Sequence, residues 1–157
     1  MHNTRNDLPS RTRIAVAELL QARLADAVDF HSQAKQAHWT VKGPAFIALH
    51  ELFDTVAAEA DGWADLIAER IEQLGGTAEG TVRVAAKRST LKEYPPAITA
   101  GLDHVNALSS SLAGFGTNVR ADIDHAAKLD DAGSADLFTE ISRAADKLLW
   151  FVESHVA

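Results

Sequence analysis

The stretch that decides the fold runs from residue 44 to residue 74, PAFIALHELFDTVAAEADGWADLIAERIEQL, with Gly43 in front of it and Gly75 and Gly76 behind. Leu49, Phe53, Val56, Ala60, Trp63, Ile67, Ile71 and Leu74 recur at helical spacing and make one continuous apolar stripe. Pro44 suits the first turn of a helix, and the glycine pair is a C-terminal stop. At about 1.5 Å per residue such a helix is roughly 45 Å long. A stripe of that length needs partners of similar length.

The sequence on either side supplies them. Upstream, residues 10–39 place Ile14, Leu19 or Leu20, Leu24, Val28 and Ala34 at helical intervals, with Ser10 as a candidate N-cap and VKGP as the turn into the next helix. Residues 1–9 form a short N-terminal extension. Downstream, residues 75–96 are rich in Gly, Thr, Ser and Pro and long enough to cross a bundle from end to end, with room for a short helix. A third helix over 97–128 carries Ile98, Leu102, Val105, Leu108, Leu112, Phe115, Val119 and Ile123, and Gly114 and Gly116 are expected to weaken it locally. After 129–134, a fourth carries Leu137, Ile141, Ala145, Leu148, Leu149 and Val152 to the end. No strand pattern and no internal repeat interrupts this order. Four long helices with one extended connection after the second predict an all-α, ferritin-like four-helix bundle, a single domain over 1–157, rather than an up-and-down bundle.

Composition narrows the function classes. The chain is 46% apolar and 24% charged, which excludes a disordered or low-complexity protein. It has no cysteine, so any metal must sit on His and carboxylates. No apolar run reaches membrane-spanning length and no signal core precedes the first helix, so a cytoplasmic protein is expected. The net charge of -7 opposes nucleic-acid binding unless a basic patch is segregated. Arg5, Arg11 and Arg13 are offset by Asp7, and Lys87, Arg88 and Lys92 lie in the connection as a solvated run.

The second helix also carries the chemistry. His50 with Asp54, and Asp65 with Glu69, are i,i+4 pairs that can each converge on one ion. Taking about 100° per residue from His50, Asp54, Asp61, Asp65 and Glu69 all fall within roughly 100°, and the bulky apolar residues centre on the opposite side. The polar stripe therefore points out of its own bundle. Asp54 and Asp65 are about 16 Å apart along the axis, too far for one helix to bring both pairs to one ion. A second copy crossing antiparallel can do so. The spans 50–69 and 54–65 share a midpoint between Glu59 and Ala60, so a single two-fold axis satisfies both pairs and generates two equivalent sites. Ala57, Ala58 and Ala68 on the stripe are small enough for close approach. His38, just before the VKGP turn, adds a further imidazole. Such a sparse imidazole and carboxylate set suits Fe(II), with Zn(II) as a competitor, better than Ca(II) or Mg(II). The competing reading is the solvated face of an amphipathic helix.

KQAHWTVKGPAFIALHELFD followed by DLIAERIEQLGG resembles the signature of the Dps family of mini-ferritins, with His38, Trp39, Gly43, Phe46, His50, Asp54, Asp65, Glu69 and Arg70 at the family spacing. Weaker likeness extends through TRNDLPS, LKEYP and SRAADKLLWFVE. The resemblance implies a hollow homo-oligomer, expected as a dodecamer, that oxidises Fe(II), preferably with hydrogen peroxide, and stores ferric mineral against oxidative damage. It assigns His38, His50 and Asp54 to one subunit and Asp65 and Glu69 to its partner. Trp39 is implied as a sink for stray oxidising equivalents, with a packing aromatic as the alternative. Asp130, Asp131 and Asp136 match an acidic iron-entry pore, and Asp136 is equally a helix N-cap. Glu51 is either a mineral nucleation carboxylate or an ordinary surface residue. The Lys-rich N-terminal tail with which relatives hold DNA is missing, so a nucleoid-associated, DNA-binding role is the secondary reading. His31 reads as a packing or interface histidine, and His104, His125 and His155 form no recognisable constellation.

Overall fold

Helical periodicity resolves into five helices in the computed structural model, which describes residues 1–156. They are α1 (Ser10–Thr40), α2 (Phe46–Gln73), α3 (Val82–Arg88), α4 (Gly101–Lys128) and α5 (Ala132–Glu153). Helix α1 pairs along its length with α2, and α4 with α5. The two hairpins face each other, and the crossover containing the short α3 lies against α1. The chain is thus a four-helix bundle with its long connection after the second helix, as the sequence leads one to expect. Among the described residues there is no strand, only an isolated parallel bridge from Lys42 to Ala100.

All eight predicted stripe positions of α2 are buried, and they meet Phe30, Phe115 and Phe138, which are fully enclosed. Trp63, Phe115 and Phe30 stack nearly parallel, with centroids 5.3 Å apart for Trp63 and Phe115 and 6.2 Å apart for Phe115 and Phe30. Gly75 ends α2 with φ +83°, a left-handed conformation that costs glycine little. Arg13 caps the same end by donating from Nη1 to the Leu74 carbonyl at 2.9 Å.

Several expectations are corrected. Pro9, not Ser10, is the N-cap of α1, and no side chain caps that end. Pro44 lies in the turn, so α2 begins at Phe46. Helix α4 begins at Gly101 rather than 97, because the preceding segment is held extended where the Lys42 amide donates to the Thr99 carbonyl at 2.8 Å. Gly114 and Gly116 do not interrupt α4. Ile14 and Leu102 are exposed, whereas Gln21, Arg23, Asp26 and Gln33 of α1 are buried. Gln21, Asp26 and Gln33 anchor the crossover, whereas Arg23 pairs with Asp26 and with Asp122 of α4. Asp26 accepts from the Thr90 amide at 2.7 Å, Gln33 donates to the Lys92 carbonyl at 3.1 Å, and Asp29 accepts from the Ser89 hydroxyl at 2.5 Å. An unpaired buried polar group is costly, so these bonds fix the path of the crossover.

Candidate metal centre

The turn between α1 and α2 brings two imidazoles together. Gly43 adopts φ +117°, which allows the chain to reverse between His38 in the last turn of α1 and His50 in the first turns of α2. His38 Nδ1 lies 2.8 Å from the His50 carbonyl, and His50 Nδ1 lies 2.8 Å from the His38 carbonyl. The rings stack with centroids 3.7 Å apart. A carbonyl can only accept, so both Nδ1 atoms carry the proton and both Nε2 atoms keep a free lone pair. This is the tautomer a metal ligand needs, held by backbone from the opposite helix. Phe46 closes one side, its ring 5.1 Å from that of His50.

Asp54, one turn further along α2, joins the pair in a shallow surface depression that Glu51, Thr55, Ala58 and Glu59 also line. Its Oδ1 accepts from Lys35 Nζ at 2.6 Å and lies 4.0 Å from His38 Nδ1. The Lys35 hydrogen bond holds the carboxyl below the usual carboxylate range, helped by the Lys35 charge and opposed by partial desolvation. Asp65 and Glu69 are exposed on the same helix but outside this depression. One chain therefore offers two imidazoles and a carboxylate at one end of the stripe and two carboxylates at the other. Among the described residues no three His, Asp or Glu side chains gather closely enough to hold a metal ion.

The remaining candidates separate clearly. Trp39 is 67% exposed, so it does not pack into the core of its own chain, and the Lys35 ammonium lies 5.9 Å from its ring centroid. Glu51 is exposed beside the imidazole pair. Asp131 is turned inward, only 2% exposed, and caps α5 by accepting from the Ser134 amide at 3.0 Å. It also pairs with Arg70 Nη2 at 2.9 Å. The cap belongs to Asp131, not Asp136, and Asp131 is unavailable to line a pore. Asp130 and Asp136 are exposed around a second depression with Ala127, Ala132, Ala135 and Thr139. Of the small residues on the stripe, Ala57 is buried and its carbonyl meets His31 Nδ1 at 2.9 Å, so close approach falls to Ala58 and Ala68. That bond also satisfies His31.

Sequence reasoning missed Lys35, though its position one turn before Trp39 and three residues before His38 already placed it on their face. It also missed His104, which is fully buried beneath the crossover with Nδ1 2.6 Å from the Tyr94 hydroxyl. Its partner is a loop residue that no helical periodicity marks.

With this geometry in hand, comparison with known proteins defines the class: the ferritin-like domain matches residues 17–157. A "DNA protection during starvation protein" of Agrobacterium fabrum is 44% identical over 99% of this chain and 96% of its own length. The solved structure of Dps from Microbacterium arborescens in the high iron form superposes with a TM-score of 0.88 at 32% identity, covering 98% of this chain and 97% of that one. DpsC from Streptomyces coelicolor superposes with a TM-score of 0.94 at 28% identity, covering 99% and 91%. The chain belongs to the Dps family of ferritin-like proteins.

Proposed function

We propose that this protein oxidises Fe(II), with hydrogen peroxide as the preferred oxidant, at centres shared between two subunits, and stores the ferric product inside a hollow homo-oligomer. The observation that carries this reading is the reciprocal His38 and His50 arrangement, with both Nε2 lone pairs free beside Asp54 on an outward face. The donor set is completed by the partner subunit's Asp65 and the partner subunit's Glu69. Fe(II) is the substrate. Two Fe(II) supply the two electrons that break the peroxide O–O bond, and two protons complete two waters, so no hydroxyl radical is released. The carboxylates favour the higher charge of Fe(III), and Zn(II) competes for the same donors. Trp39, exposed beside the centre, takes up stray oxidising equivalents. Asp130 and Asp136 admit iron, and Glu51 offers a carboxylate where mineral begins. A dodecamer working in the cytoplasm against oxidative damage fits this chemistry. No helix among the described residues is long and apolar enough to cross a membrane.

Changing His50 and Asp54 together to Ala tests the assignment. Peroxide-driven Fe(II) oxidation, followed by absorbance of the ferric product, should slow by about 100-fold or more while assembly persists, because both donors of one end are lost. An unchanged rate in an assembled variant sinks it. Physical protection of DNA is the second reading, raised by the name of the Agrobacterium relative. The net charge of -7 weighs against it.

A further inference from the structure

The carboxylate at the imidazole pair already has a cation. Lys35 Nζ sits 2.6 Å from Asp54 Oδ1, closer than any imidazole nitrogen, and its side chain is only 26% exposed. The ammonium is tethered to α1 by a flexible stem, and the exposed face of Trp39 lies within its reach at 5.9 Å. A divalent ion bound by His38, His50 and Asp54 would have to take this oxygen from Lys35 or tolerate a like charge a few ångströms away.

From this arrangement we infer that Lys35 is a built-in competitor: it occupies Asp54 while the centre is empty, gives the oxygen up to an arriving divalent cation, and so sets the affinity of that end. The inference rests on the proposed metal centre and deepens it. Binding becomes an exchange of one cation for another at Asp54, with the displaced ammonium moving toward the Trp39 ring, where its charge is still partly compensated. A weakened end serves a centre that must pass its ion on, because an ion held too tightly after oxidation would block the next. Lys35 does not touch the reacting atoms in this account. It acts through Asp54 as a positioning residue.

The two roles open to Lys35 have opposite signs. If it merely orients Asp54, removing it weakens metal binding; if it competes, removing it strengthens binding. Zn(II), which does not turn over, is the probe, titrated calorimetrically into the assembled full-length protein. Lys35→Met keeps the length and apolar stem without the charge and should bind Zn(II) about tenfold more tightly than the parent, with the gap narrowing as salt rises. Lys35→Arg restores the cation and should return the affinity to within about threefold of the parent. Equal or weaker binding by Lys35→Met overturns the inference while leaving the metal centre standing. Zn(II) binding that survives unchanged in His50→Ala, or that is absent from every protein including the parent, overturns both.

Discussion

His104 shows how much a single side chain can hold. It is fully enclosed, with Tyr94 on one ring nitrogen at 2.6 Å, the Thr40 hydroxyl 3.4 Å from the other and Phe53 against its ring. Burial pushes its pKa below the ordinary histidine value, against a smaller opposing pull from Asp103. A histidine depressed in the folded state leaves the unfolded chain binding more protons between the two pKa values. Stability is therefore full above about pH 6.5 and falls as pH drops from there through the folded value, levelling off below it. Thermal midpoints measured between pH 7.5 and 5 should decline in the parent and decline less steeply in His104→Gln, which keeps a hydrogen-bonding group without the proton equilibrium. Identical slopes would mean that other groups govern acid stability. The same burial raises the Tyr94 hydroxyl far out of the working range, so it stays protonated.

Among the elements, the start of α5 is the most tightly specified. Asp131 accepts from the Ser134 amide and hydroxyl and pairs with Arg70, joining this helix to α2 one residue beyond Glu69. Asp131→Ala removes a cap and leaves a half-buried guanidinium without its partner, a loss of about 3 kcal/mol. Asp136→Ala should stay within about 0.5 kcal/mol of the parent, since its side chain is exposed and makes no hydrogen bond among the described residues. Urea unfolding of the two variants side by side checks the contrast. This pair also shows what could be read beforehand. The family resemblance marked both aspartates, but which one caps depends on where the chain turns at Asp130, with φ +60°, and on Arg70 sixty-one residues from Asp131. The buried face of α2 was legible because its eight apolar positions all face one core. Helix α1 was legible in its bounds but not in its buried face, because Gln21, Asp26 and Gln33 are buried to hold a crossover about sixty residues further on. The candidate donors His38, His50 and Asp54 were picked out by counting residues. The orientation of the two rings could not, since it comes from backbone carbonyls across a turn.

For the molecule as a whole, the outward stripe of α2 sets the central test. Ala58 is exposed near the midpoint of that stripe, beside the depression that holds the imidazole pair. Ala58→Arg leaves all five proposed donors intact but obstructs the approach of a second α2. Sedimentation should show the assembly weakened, and peroxide-driven Fe(II) oxidation should fall at least about tenfold, because each half-centre loses its complement. Full activity in a protein shown to be monomeric would place the whole reaction within one chain. Since Asp65 and Glu69 lie outside the depression that contains His50, such an outcome would overturn their proposed role in completing the centre.

The clasp between His38 and His50 spans only twelve residues of sequence and depends on nothing beyond the first two long helices. Contacts so near in the chain cost little loop-closure entropy and close early in folding. Two of the five proposed donors are thus oriented by contacts within the first two long helices, without the crossover or a second molecule. On the proposed reading, assembly has no imidazole left to orient at that end; it has only to deliver the partner carboxylates to a pair of rings already aimed.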